Sequence, residues 1–357
     1  MDPAVALGVE AASSLSLRVL LVWHAATASE PEPFLVGAWL GALRASRLTW
    51  PFRGFVSPTT PVAYLGTPVV DAAFAEPVFS LLLAELRDNP ALPGFAEIGD
   101  FSAGLVPALT SALERSNMSL AIVEKRQRAH LLPKPDPEGF WAKSRSRAHI
   151  KNLARQRRKL SESGRLELTV GVSAAETEQQ LEEFLVIEAS GWKGSRGSAL
   201  ASQPETVATV RRMIQGLALR DRVKIHTLRL DGRPVVMSIL LYAGKEAFTW
   251  RIAFDETFRR YSPGIQLLED VTLDLLRDPG VERTDSCNHR DTGFQAERWS
   301  ERHELVDILI GTRRHSAVVV WCLAARERFL RRAKDLARHA LKAARHRWAS
   351  GKEKPKA

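Results

Sequence analysis

The stretch Phe248-Thr249-Trp250-Arg251-Ile252-Ala253-Phe254, followed by Arg259-Arg260-Tyr261-Ser262-Pro263-Gly264 and the run Ile265 to Arg277, decides the fold. Its aromatic and β-branched first part reads as a strand, and Ile265 to Arg277 reads as an amphipathic helix. Two readings of the turn between them are open. Ser262 and Pro263 suit an ordinary helix start, with serine as N-cap and proline at the first helical position. The same turn also suits a phosphate, because unpaired N–H groups and the helix dipole favour an anion where a small residue lets it approach. Pro263 has no N–H to give, so the donors expected are Gly264, Ile265 and Gln266, with Arg259 or Arg260 adding charge.

Working outward, three strands form a meander before the turn. They are Val223–Leu230, Val235–Tyr242 after the Asp231-Gly232 turn, and Ala247–Phe254 after Gly244-Lys245. Further upstream lie a basic helix Ala142–Ser163 ended by Gly164, a strand Leu166–Val172, and a helix Glu176–Gly191. A polar loop Trp192–Gln203 and a helix Glu205–Leu219 complete that side. Downstream, Val281–Cys287 and Leu305–Ile310 read as strands. Leu132-Pro133-Lys134-Pro135-Asp136-Pro137 places three prolines in five residues and is expected to be an extended linker. Before it, helical spacing marks Phe34–Leu43, Pro77–Arg87 and Leu105–Ser116. Short apolar pieces mark Ala63–Gly66 and Pro68–Val70, and a strand is expected at Ser119–Val123. The expected organisation is 1–132, a linker 133–140, a main domain 141–312 and a basic tail 313–357.

In this order of elements the turn resembles the acetyl-CoA signature of GNAT acyltransferases, Gln/Arg-x-x-Gly-x-Gly/Ala. Arg259 stands at the leading basic position, Ser262 replaces the middle glycine and Gly264 is the last small residue. Glu188-Ala189-Ser190-Gly191-Trp192-Lys193-Gly194-Ser195-Arg196-Gly197-Ser198-Ala199 and Phe248 through Glu256 resemble segments of the CelD-like acyltransferases of cellulose and exopolysaccharide synthesis. That group is related to the FemAB aminoacyltransferases. The resemblance covers roughly residues 141 to 312. It implies an α/β fold with a GNAT-type mixed central sheet flanked by helices, and a tandem of two GNAT-like halves with residues 1–132 as the diverged or shortened first half. One departure stands out: related proteins often carry Tyr-Lys or Phe-Lys where this chain has Phe294-Gln295, so a role of that lysine in contacting substrate or an acyl carrier is either lost here or moved to Arg298.

GNAT chemistry is direct attack of an amine or hydroxyl on a thioester, so the resemblance implies an acyl-CoA donor, an oxyanion donor near Ala253 to Asp255 and a proton acceptor. Candidates for the acceptor are Asp255, Glu188, Asp285 and His289, each competing with a structural role. Trp192 is either a core plug or a substrate platform. Lys193, on a polar loop, is read as a substrate or phosphate contact, and Arg251 either lines the cleft or faces solvent. The sequence holds no Walker A loop, HExxH, Cys-x-x-Cys or Gly-x-Ser-x-Gly, and suggests no metal.

The net charge of +10 is local. Residues 313–357 carry 14 Lys/Arg and 3 Asp/Glu, leaving 37 basic and 38 acidic residues elsewhere. A chain made basic throughout to hold a polyanion is thereby disfavoured. The tail reads as a helix with Leu330, Ala333, Ala337, Leu341, Ala344 and Trp348 on one stripe. That stripe either packs on the body or lies on an anionic membrane, where each Lys/Arg contributes about 1 kcal/mol. A second basic segment, Lys143 to Arg165, has nine basic residues against Glu162. It is read as a solvated face, a guide for CoA phosphates or an RNA contact. The RNA contact leads to an alternative donor, a charged tRNA in a FemAB-like reaction; a non-catalytic GNAT-fold binding protein is the other alternative. Two cysteines, no leader-like N-terminus and no long apolar run lead to an expected cytoplasmic home, peripheral at the inner face of the plasma membrane if the tail binds lipid. The expected acceptor is a small molecule or saccharide.

Overall fold

The computed structural model describes residues 17–27, 30–58, 65–171, 173–289, 291–313 and 316–351. In chain order its elements are β1 (Leu17–His24), β2 (Phe34–Ala45), β3 (Arg53–Val56), β4 (Val69–Val70), α1 (Ala75–Asp88), β5 (Phe95–Ser102), α2 (Val106–Arg115) and β6 (Ser119–Leu131). There follow α3 (Phe140–Ser144), α4 (Arg147–Ser161), β7 (Leu166–Gly171), α5 (Ala174–Ser190), α6 (Trp192–Ser195), α7 (Pro204–Ala218) and β8 (Val223–Leu230). The chain continues through β9 (Arg233–Ala243), β10 (Glu246–Phe254), α8 (Pro263–Arg277), β11 (Arg283–Asp285), β12 (Glu301–Gly311) and α9 (Ser316–Gly351). The fold is mixed α/β, with helices flanking mixed sheet.

Two compact units divide the chain: Met1–Leu17, Pro58–Gly66 and Arg126–Leu305 form the first, and Arg18–Ser57, Thr67–Lys125 and Val306–Ala357 the second. This differs from the boundary expected at the prolines, which fall inside the first unit. The reason is strand pairing. Leu131 and His130 at the end of β6 pair antiparallel with Thr284 and Asp285 of β11, so the residues just before the prolines fold with the main domain.

In the first unit the strand order is β6-β11-β10-β9-β8-β7. The hairpins β7–β8, β8–β9 and β9–β10 are antiparallel, and β10–β11 is parallel. One face is covered by α5 and α7, whose Leu181, Phe184, Val210, Met213 and Leu217 pack on Ile225, Met237, Ile239 and Trp250. The other is covered by α8, whose Leu267, Val271 and Leu275 pack with Val236, Leu240 and Trp299. Ser173 starts α5 with a reciprocal capping box to Glu176, the local signal that fixes where this helix begins.

In the second unit the order is β1-β2-β3-β5-β12-β6. β2 and β3 are antiparallel, and α1 carries the chain from β3 toward the parallel strand β5. The same succession, antiparallel pair, helix, parallel strand, occurs in the first unit as β9, β10, α8 and β11. Phe34–Leu43 is a strand, contrary to its helical spacing. Gly37 and Gly41 are poor helix residues, and here they let Val78 of α1 and the Phe55 ring lie directly on the strand; a Cβ at either would overlap them. Ala63 and Tyr64 of the expected apolar piece, and Val172 of the expected strand, lie outside the described residues.

Candidate functional site

β10 and β11 pair over only three positions, Glu246↔Arg283, Ala247↔Thr284 and Phe248↔Asp285. β11 then ends, while β10 runs on to Phe254 still paired to β9. Between the parting strands lies an open cavity of about 290 Å³, lined by Thr249 to Ile252 on one side and Ser286, Cys287 and Asn288 on the other. Lys193, Ser238 and Gly293 to Gln295 complete its wall.

A bulge shapes β10 at this point. Thr249 faces Leu240 and Arg251 faces Ile239, so Trp250 is the extra residue. After the bulge Arg251 turns toward α5, the side that Trp250 also faces. There its Nη1 lies 3.0 Å from Glu188 Oε1, and Lys193 Nζ lies 3.0 Å from the same oxygen. Glu188 Oε2 accepts from the Leu200 N–H at 2.7 Å, and Lys193 also donates to the Ile252 carbonyl at 2.9 Å. The Glu188 side chain is fully buried. Two cations on one carboxylate leave the cluster net positive at the cavity wall. Burial pushes the Lys193 pKa down, more than Glu188 raises it, and Arg251 pushes the same way.

A second network holds the strand exit. Asp285 is buried, 3.5 Å from Arg128 Nη1, and accepts from the Cys287 N–H at 2.6 Å. Thr249 Oγ1 donates to the Asp285 carbonyl, Gln295 Nε2 donates to Thr249 Oγ1, and Asn288 Nδ2 donates to Gln295 Oε1, each at 3.3 Å. Gln295 therefore ties the far loop to β10. Cys287 adopts φ +55, a left-handed conformation for a residue with a Cβ.

The candidate bases meet different fates. Glu188 has both oxygens engaged as described. Asp255 caps the following 3-10 turn, accepting from the Thr257 N–H at 2.9 Å and pairing with Arg233. Burial opposes its ionisation, but Thr257 and Arg233 outweigh it and hold its pKa below the usual carboxylate range. Its own N–H, within the expected oxyanion segment, donates to the Val235 carbonyl. Asp285 is tied to Arg128, and His289 is exposed and does not line the cavity.

At the turn, Ser262 sits in the left-handed region at φ +52, ψ +48 and its side chain makes no cap bond. The middle position therefore asks for what glycine gives freely, and serine fills it under strain. Ile265 N–H and Gln266 N–H both donate to the Ser262 carbonyl, at 3.0 and 3.2 Å, so two of the three expected phosphate donors are engaged within the helix. Gly264 is buried, and a Cβ on it would touch Phe294, Ile252 and Phe254 at 3.4 to 3.9 Å, which joins the turn to the cavity wall. Gln266 Oε1 is buried with no partner among the described residues, while its Nε2 donates to the Tyr261 carbonyl. Arg259 and Arg260 are exposed, with Arg260 lying over the Tyr261 ring.

Trp192 is half exposed, with Arg196 over its ring at 5.1 Å, so it is no core plug. Arg298 is partly buried, and its Nη1 is turned to its own loop, donating to the Phe294 carbonyl and Glu297. Sequence reading missed Ser238, Thr249, Ser286, Cys287 and Asn288. Thr249 and Ser238 carried a signal, as polar residues amid the apolar runs of β10 and β9. Among the described residues no group of three or more His, Cys, Asp or Glu is arranged to hold a metal.

Residues 147–288 match a family model, the acetyltransferase (GNAT) domain. A search of the curated proteins finds no match. Among solved structures the chain is similar to FemX, at 10% identity over 86% of this chain and 90% of that one, with a TM-score of 0.54. It is also similar to the C-terminal DUF2156 domain of a protein assigned as a lysylphosphatidylglycerol synthetase from Agrobacterium fabrum, at 14% identity over 87% and 88%, with a TM-score of 0.52. A protein of unknown function from Bacteroides thetaiotaomicron shares the fold at 9% identity over 86% and 89%, with a TM-score of 0.51. At these identities the likeness is one of fold.

Proposed function

We propose that the first unit transfers an acyl group from acyl-CoA to an amine or hydroxyl of a saccharide acceptor, by direct attack on the thioester. The match of residues 147–288 to an acetyltransferase (GNAT) domain supports this class of reaction. The observation that carries the reading is the parting of β10 and β11 around a cavity flanked by the Lys193–Glu188–Arg251 cluster.

In this reaction the acceptor's lone pair forms a C–N or C–O bond to the thioester carbon. The C–S bond then breaks, and the sulfur leaves as a thiolate that takes up the acceptor's proton through solvent. Negative charge develops first on the carbonyl oxygen and then on sulfur, and Lys193 and Arg251 are the cations at the cavity to stabilise it. Glu188 is a positioning residue that fixes both. Asp255 and Asp285 shape the turn and the strand exit. Gly264 keeps the approach to the α8 N-terminus open, with Arg259 and Arg260 supplying charge for a phosphate. The polysaccharide-linked acceptor rests on the resemblance of residues 188–199 and 248–256.

Titration of the intact protein with acetyl-CoA tests the donor. Saturable binding that weakens at least about tenfold in Gly264→Leu supports the reading, since a large side chain there would fill the approach. Absence of binding rejects it.

One observation favours a second donor. With Pro263 lacking an N–H and Ile265 and Gln266 engaged, the turn offers few donors to a pyrophosphate. Along α4, Arg147, Lys151, Arg155 and Arg158 are exposed at helical spacing. Aminoacyl transfer from charged tRNA would use that stripe. It predicts aminoacyl-tRNA binding that falls steeply with salt and is lost on reversing Lys151 and Arg155 to glutamate. A chain that binds neither donor is a GNAT-fold binding protein.

A further inference from the structure

The sheet of the second unit has two faces. On one, α1 and α2 build a core with Leu20 and Val22 of β1 and Val306, Ile308 and Ile310 of β12. On the other, Val320, Leu323 and Ala324 of α9 pack against Leu48, Val123 and Leu309, with Phe95 beside them. The inner side of α9 is thus well seated, and Glu327 is buried there with Arg47 and Arg331 on it.

The outer side of α9 is apolar as well. Val318, Trp321, Phe329 and Leu336 are 71%, 66%, 70% and 71% exposed, at spacings of three, eight and seven residues that keep them on one stripe. The stripe is about 27 Å long. Arg326 donates to the carbonyls of Arg47, Leu48 and Trp50, which brings Trp50, itself 64% exposed, to the flank of the helix. On β1, Trp23 alternates with Val22 and so points away from the α1 side, 57% exposed. Three tryptophans more than half in water on one side of one unit are a large uncovered apolar surface.

We propose that this side of the second unit docks on an anionic lipid bilayer, with α9 lying in the interface plane. Tryptophan is the side chain suited to the headgroup boundary. Charge selects the occupant: Arg332 and Lys334 are exposed on α9, and the segment 313–357 carries 14 Lys/Arg against 3 Asp/Glu. A second copy of the chain on this face would bring two such segments together, which like charge opposes, whereas an anionic surface attracts them. Among the described residues no helix is long and apolar enough to cross a membrane, so the contact is a surface one.

The test is flotation of the full chain with phosphatidylcholine vesicles, with and without phosphatidylglycerol, alongside tryptophan fluorescence. The expected result is binding at low salt that is at least about tenfold stronger with phosphatidylglycerol, with a blue-shifted emission. Trp321→Glu with Phe329→Glu should weaken it about tenfold or more without lowering Tm, because both side chains are already in water. Arg332→Glu with Lys334→Glu should remove much of the salt dependence. The proposal is overturned if the wild type stays with the aqueous phase. It is equally overturned if the Trp321/Phe329 variant binds as well as wild type, or if light scattering shows a dimer that this variant dissolves.

Discussion

Ser262 holds a left-handed conformation with a β-carbon attached, a cost on the order of 1 kcal/mol that glycine would not carry. Ser262→Gly is therefore expected to leave Tm unchanged or raise it, since relief of strain outweighs or balances the added freedom of the unfolded chain. Ser262→Val should lower stability by about 1–2 kcal/mol, read by urea titration. Glu188 gives a larger effect. Glu188→Ala strands two cations at a site where the carboxylate is fully buried, and a loss of about 3–5 kcal/mol is expected. Lys193→Met should cost less stability, since Arg251 still pairs with Glu188, but should lower kcat more than it raises KM. The turn is legible from Ser262, Pro263 and Gly264 because helix starts are written locally. The Glu188 cluster is not, because the bulge at Trp250 turns Arg251 toward α5, and a bulge of one residue leaves no trace in the apolar pattern of a strand.

At the scale of elements, the meander β8–β9–β10 and the helices around it are legible because turns such as Asp231-Gly232 and the alternation of apolar residues mark them. β2 reads as a helix because its apolar residues are nearly continuous, so a helical stripe can be drawn through them, whereas Gly37 and Gly41 serve close approach in a sheet. The pair of strands β6 and β12 carries a pH prediction. His130 and His303 stand edge to face, 6.1 Å apart, and burial first, then the charge of Arg283, lowers both pKa values, His303 to about 4. Between about 4 and the ordinary value of 6.5 the unfolded chain holds a proton on His303 that the native chain does not. Stability is then full above pH 6.5 and is lost as pH falls toward 4. Urea midpoints measured across that window should fall with pH, and His303→Gln should flatten the slope; an unchanged slope would show that other groups dominate.

At the scale of the whole molecule, composition announces two domains but not where one ends. Three prolines within five residues look like a linker, yet strand pairing ties His130 and Leu131 to β11, and residues 126–131 fall in the same unit. A fragment cut at residue 133 to isolate the family-matched part loses that strand. It is expected to aggregate or to lack a cooperative melt, whereas a fragment beginning at residue 118 and ending at residue 313 keeps β6 and β12 whole. Comparing the two by thermal melting checks this.

The second unit also draws on both ends of the described chain, residues before 126 and residues after 305. A ribosome makes about 5–20 residues each second, so roughly 10–40 s separate the emergence of Lys125 from that of Val306. Through that interval the early strands have no α9 to cover Leu48, Val123 and Phe95. The nascent chain thus presents sticky surface for the whole time the first unit is being made, and the order of synthesis leaves that surface bare until the last helix arrives.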